Sequence, residues 1–120
     1  MNYQNELSKI EIFKAIESKE FSKELLTSAE TVIIAMTQDW CPQWIFMKRW
    51  LYKLVNENCK VYEVIYNNKD YSNNFMSFKE NTFGNDLVPY VRIYKKGMFF
   101  KDCNYRSQSM FKQILEKEKI

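Results

Sequence analysis

Apolar residues along this chain gather in short runs of two kinds. Residues 31–36 (TVIIAM) and 60–66 (KVYEVIY) are compact and rich in β-branched side chains. They predict buried strands, the first parallel and covered on both faces. Between them, a helix is predicted from Pro42 to about Asn56. There Met47, Trp50, Leu51, Leu54 and Val55 share one face and Lys48, Arg49 and Lys53 the other. Pro42 suits the first helical turn, where its missing N–H costs nothing. Residues 10–16 (IEIFKAI) fit two templates. Ile10, Ile12 and Ile16 lie on one side of a strand, whereas Ile12, Phe13 and Ile16 share a helical face. Ser18 is then expected to cap a short helix carrying Phe21, Leu25 and Leu26.

The later half has the same grammar. A polar, Asn-rich stretch leads into a shorter helix over about 70–79, and Gly84 ends that region. Val91 and Ile93 with their flanking tyrosines predict a strand, KKG a tight turn, and residues 98–103 its antiparallel partner. Ser107 or Ser109 caps a final helix with Met110, Phe111, Ile114 and Leu115 as its apolar stripe. The predicted order is strand, helix, strand, helix, strand, helix, strand, strand, helix, beginning with residues 10–16 as a strand, with crossover units first and a hairpin last. The pattern predicts an α/β fold, a mixed sheet of four to five strands between helices.

Composition narrows the chemistry. A chain of 120 residues suits a single domain spanning 1–120. With 46% hydrophobic and 28% charged residues it belongs to the globular class. The net charge is +3, and the densest basic pairs, Lys48-Arg49 and Lys95-Lys96, are too short for a nucleic-acid stripe. No apolar run approaches the ~20 residues that span a bilayer. Neither nucleic acid nor membrane is therefore an expected partner. The polar start MNYQNELSKI lacks a signal-peptide core, so a cytoplasmic location is expected. Histidine is absent, which removes Ser-His and Cys-His catalysis and His-based zinc sites. The three cysteines, Cys41, Cys59 and Cys103, are an odd number without close spacing. They predict neither a disulfide scaffold nor a metal site, and no cofactor is expected.

The stretch QDWCPQW, residues 38–44, holds the one motif with clear chemical content. Cys41 follows a tryptophan and opens the predicted helix. A thiol there meets unpaired N–H groups and the positive end of the helix dipole, the setting of reactive cysteines.

VIIAMTQDWCPQW, LVPYVRIYKKG, and ESKEFSKELL followed by TSAETVIIAMT carry a resemblance over essentially the whole chain. The chain resembles the thioredoxin superfamily. VIIAMTQDWCPQW is similar to that family's buried strand, Trp-Cys turn and long helix. LVPYVRIYKKG is similar to its cis-proline, strand and Lys-Gly hairpin. The remaining pair of segments keeps its spacing from first helix to central strand. The resemblance implies that Pro89 is cis and lies against Cys41, and that the Val88 backbone offers hydrogen bonds to an extended peptide.

The departures bear on function. The family's second cysteine falls on Trp44, and its buried acid falls on Ala35. Its helix-kinking proline falls on Arg49, and residues 67–84 form an insertion that should change the rim near Pro89. A dithiol releases its partner when the second thiol attacks the mixed disulfide, and that route is missing here.

Two readings follow. In one, Cys41 is a monothiol redox nucleophile acting on protein or peptide thiols and disulfides, with glutathione as an outside thiol. In the other, the protein is a non-catalytic binding module. Both place the peptide against Trp40, Pro42, Gln43, Trp44, Val88, Pro89 and Tyr90. An exposed aromatic patch of Trp40, Trp44 and Tyr90 with Pro89 would suit a protein groove. Trp44 folded inward would instead close the site. Trp50 is expected to pack in the core, Cys59 and Cys103 to fill space near the sheet ends, and Glu63 to point to solvent.

Overall fold

The computed structural model describes residues 6–116. Its elements run α1 (Lys9–Ser18), α2 (Lys23–Leu26), β1 (Thr31–Thr37), α3 (Pro42–Leu51), β2 (Cys59–Ile65), α4 (Ser72–Thr82), β3 (Tyr90–Lys95), β4 (Met98–Cys103) and α5 (Gln108–Glu116). The strands form one sheet in the order β2-β1-β3-β4. β1 is parallel to β2 and antiparallel to β3, and β3 and β4 make the terminal hairpin. This is the predicted mixed α/β sheet, with four strands.

Local chemistry decides the ambiguous elements. Residues 10–16 are helical and are not the first strand of the predicted order. Ser8 caps α1 by accepting from the Glu11 N–H at 3.3 Å, and the helix buries Ile12 and Ala15 while leaving Ile10 outside. The cap of α2 is Ser22, not Ser18, since its hydroxyl accepts from the Leu25 N–H at 3.2 Å. Ser18 is instead the last residue of α1, which ends on Lys19 in the left-handed region. α3 stops at Leu51, short of Asn56, and tightens into a 3-10 turn over Tyr52–Leu54. Ser107 is the residue that meets the start of α5, accepting from the Met110 N–H. The hairpin turn Lys96-Gly97 has positive φ at both residues, as a two-residue hairpin turn of twist-matching type requires. A Cβ on Gly97 would lie 2.7 Å from Thr27 Cγ2, so glycine is needed there for space as well as conformation.

Strand alternation sends side chains to two cores. Val32, Ile34 and Met36 of β1 face α1, α2 and α4, with Phe75, Phe78, Tyr90 and Tyr94. Ile33 and Ala35 face α3 and α5, with Trp44, Met47, Leu51, Val91 and Phe111. Burial on both faces is why β1 reads as an unbroken apolar run.

Among the described residues three charged side chains are buried: Glu63, Arg92 and Lys79. Glu63 does not point to solvent as expected. It is 5% exposed, lies opposite Ala35 on β1, accepts from the Tyr52 hydroxyl at 2.5 Å and pairs with Lys48 at 3.6 Å. Alternation does turn Glu63 away from the first core, but α3 covers the other face too. Arg92, on the opposite face, donates to Tyr94 Oη (2.7 Å), Tyr90 Oη (2.9 Å) and Glu20 Oε2 (3.3 Å). Its guanidinium sits between the Phe83 and Phe99 rings, at 3.9 and 4.2 Å from their centroids. Among the described residues, no helix is long and apolar enough to cross a membrane, and no cluster of His, Cys, Asp or Glu could hold a metal ion.

Candidate functional site

The site forms where the β1–α3 turn meets the loop entering β3. Cys41 is the N-cap of α3, with Pro42 directly after it. The turn before it is pinned from the end of β2: the Asp39 N–H donates to Asn67 Oδ1 (2.9 Å), and Asn67 Nδ2 donates back to Asp39 Oδ1 (2.6 Å). Gln38 bonds both Tyr66 and the Trp40 indole. From the other side comes the loop 85–89, in which the Val88–Pro89 peptide is cis. The Cys41 thiol donates to the Val88 carbonyl at 3.8 Å, joining the two segments.

Burial sorts the predicted residues into two sets. Trp40 is 60% exposed, and Pro42 and Gln43 are exposed beside it. Val88 is half-buried, and Leu87 before it is 60% exposed. Cys41 and Trp44, by contrast, are each only 3% exposed, and Pro89 and Tyr90 are buried. The exposed aromatic patch expected from Trp40, Trp44 and Tyr90 therefore reduces to Trp40.

The reasons are geometric. Cys41, Trp44, Met47 and Leu51 recur at helical spacing and form the buried stripe of α3, so Trp44 turns inward. Tyr90 begins β3 on the face of Tyr94 and Arg92, opposite that of Cys41 and Trp44, and its hydroxyl donates to Asp102 at 2.7 Å. The sequence stripe for α3 began one turn late. Trp50 is half-buried and packs on Phe111 with ring centroids 5.4 Å apart.

The backbone of the 85–89 loop contributes an open polar edge. Among the described residues, no partner takes the Val88 N–H. All three cysteines are free. Cys103 is buried in the same core as Cys41, and burial pushes its thiol up to about 11. Burial also pushes the Tyr90 phenol up to about 12, helped by its hydrogen bond to Asp102.

These shifts set a pH dependence. Cys103 and Tyr90 hold their protons in the folded chain where the unfolded chain has lost them. Each contributes stability that is complete below its unfolded value, 9.0 for the thiol and 10.0 for the phenol, and is lost as pH rises through its folded value. Cys59, Tyr66, Tyr71 and Tyr94 are shifted in the same direction, chiefly by burial. Lys79, lowered by burial, acts with the opposite sign. Urea midpoints should therefore fall from about pH 9 towards pH 12, after a plateau between pH 7 and 9. A midpoint that holds or rises across that window would contradict these assignments.

Comparison with solved structures gives the architecture a name. The thioredoxin O2 of Arabidopsis thaliana superposes with a TM-score of 0.68 at 16% identity, over 95% of this chain and 92% of that one. A mutant thioredoxin from Halobacterium salinarum gives 0.65 at 11% identity, over 94% and 88%. The fold is thioredoxin-like. A glutaredoxin C1 in its holo form, from Populus tremula x tremuloides, shares the thioredoxin-like architecture at a TM-score of 0.52 and 20% identity, over 89% and 87%. No protein-family model matches the chain, and no curated protein matches it by sequence. Within the thioredoxin-like frame, this chain carries Trp44 and Ala35 where the sequence resemblance places the second cysteine and the buried acid. The buried carboxylate that it does have, Glu63, comes from the neighbouring strand.

Sequence reasoning missed three side chains that shape the site: Asn67, Lys79 and Asn104. Asn67 and Lys79 lie within residues 67–84, and the Asn-rich stretch at its start was a signal for Asn67 alone.

Proposed function

We propose that this protein is a thioredoxin-fold recognition module that docks an extended protein segment at the Val88 edge. Trp40 and Leu87 are the apolar contacts beside it. The observation that carries this reading is the unpartnered Val88 N–H directly after the exposed Leu87, on a residue whose carbonyl meets the enclosed Cys41 that follows the exposed Trp40. An extended segment can pair with such an N–H as an added strand does, while an aromatic flank supplies contact area. The thioredoxin and glutaredoxin fold neighbours make a protein or peptide bearing a thiol or disulfide the first partner class to test, with glutathione next.

One observation favours the monothiol reading instead. Cys41 caps α3, and no side-chain cap bond serves the first-turn N–H groups of that helix. In that case the Cys41 thiolate attacks a disulfide, one partner sulfur leaves as thiolate, and a mixed disulfide forms. An outside thiol then attacks the mixed disulfide and restores Cys41.

Partner capture by purified protein separates the two. Docking predicts that Cys41→Ala retains its partners. Trp40→Ala and Leu87→Asp should each weaken capture at least about tenfold, the scale of a hot-spot contact. If Cys41→Ala alone abolishes capture and both apolar variants keep it, the monothiol reading replaces docking.

A further inference from the structure

The insertion 67–84 supplies a buried cation at the base of the site. Lys79 lies in the last turns of α4 and is 1% exposed. A lysine is almost never enclosed to that degree without dedicated partners. Its Nζ donates to the Asn85 carbonyl and the Leu87 carbonyl, each at 2.8 Å. The Tyr90 ring lies 5.7 Å away, and the charges acting on it are Glu80, beside it on α4, and Asp86, in the loop itself. A single ammonium thus ties the two carbonyls that bracket Asp86, just before Val88.

The same loop is held from its other side. Asn104, directly after β4, exchanges amide hydrogen bonds with the Asn85 side chain at 3.0 and 3.1 Å. It also donates to the Pro89 carbonyl at 3.0 Å. Asn85 Oδ1 in turn accepts from the Leu87 N–H at 3.0 Å. Among the described residues, the backbone groups of residues 85–89 make no hydrogen bond to other backbone outside helices and strands. Side chains replace the missing ladder.

We propose that Lys79 and Asn104 are positioning residues that clamp the 85–89 loop. The clamp keeps the Val88 edge open and the Val88 carbonyl on the Cys41 thiol. Charge-assisted bonds from an enclosed lysine are the stronger half, because no water competes for the two carbonyls. Asn104 fixes the far end at Pro89. As a device for presenting Val88, this rests on the docking reading above, but the clamp itself can be measured without any partner.

The test uses Lys79→Met, which keeps the stem and removes the donor, and Asn104→Ala. Two quantities are read in the intact chain at pH 7.5: the iodoacetamide labelling rate of each cysteine by peptide mass spectrometry, and amide exchange of Leu87 against the β1 amides. The clamp predicts that both variants accelerate Cys41 labelling and Leu87 exchange at least about tenfold, the ratio for one lost charge-assisted bond at Lys79 or for the several neutral bonds lost at Asn104. Exchange of the β1 amides should stay within about threefold, and in Lys79→Met the buried Cys103 should stay slow, as for a local opening. Proportional acceleration at β1, Cys41 and Leu87 would overturn the proposal, because it reports only global destabilisation. So would unchanged Cys41 and Leu87. Asn104→Ala, at a half-exposed position, decides the case if Lys79→Met does not fold. Loss of partner capture with an intact clamp response would count against the docking reading alone.

Discussion

Trp44→Ala is expected to lower folding stability by about 3–5 kcal/mol, the range for emptying a large aromatic from a core. Trp44 is the widest side chain in the buried stripe of α3, and it packs in one cluster with Ala35, Met47, Val91 and Ile93. Ala35 in the same cluster is too small to fill the space that loss of the indole leaves. The effect should appear as a fall in the urea midpoint with little change in slope. Trp44→Cys, the change towards a dithiol motif, should cost nearly as much, since it removes almost the same volume. Stability within about 1 kcal/mol of the parent in Trp44→Ala would mean that the indole does not fill the core as described.

The other large effect is expected at Arg92. Arg92→Met should cost about 2–4 kcal/mol, combining lost charge-assisted bonds with imperfect filling between two rings. The guanidinium satisfies Tyr90 and Tyr94 together and reaches Glu20, while Phe83 and Phe99 cover its faces. Glu20 is partly open to water, which keeps its share of the ion pair small. Methionine retains length but offers no donor to either phenol. Arg92→Lys should recover less than half of the loss, because a point ammonium cannot reproduce a planar fork between rings. Full recovery by lysine would show that charge, and not geometry, is what the site requires.

Much of this architecture was legible in the sequence because burial on both faces leaves a strong signal. The runs at β1 and β2 and the Lys96-Gly97 turn could hardly form anything else. Residues 10–16 alternate well enough to predict a strand, yet they also fit a helical face, and the Ser8 cap and the burial of Ile12 and Ala15 make them a helix in three dimensions. Glu63 was misread for a related reason. Alternation says which face a side chain takes, but not whether another helix covers that face. The site was legible in its backbone and less so in its side chains. QDWCPQW and Val88-Pro89 do meet, through the Cys41 thiol and the Val88 carbonyl. Aromatic residues near a cysteine suggest an exposed groove for Tyr90 and Trp44, and the sequence left an inward Trp44 as the alternative. Strand parity turns one to the far side of the sheet, and helical spacing turns the other into the core. Lys79 carried no signal, since a lysine late in a polar helix ordinarily belongs to a solvated face.

In the proposed docking function Cys41 sits enclosed beside the 85–89 loop and is not the working nucleophile of a thiol cycle. The most direct test is the labelling rate of Cys41 by iodoacetamide in the native chain, compared with the same residue in urea at the same pH. Labelling is expected to be at least about 100-fold slower in the native chain, limited by local opening of the 85–89 loop. Native labelling as fast as in urea, with a glutathione mixed disulfide at Cys41 that an added thiol releases, would contradict it and establish the monothiol reading.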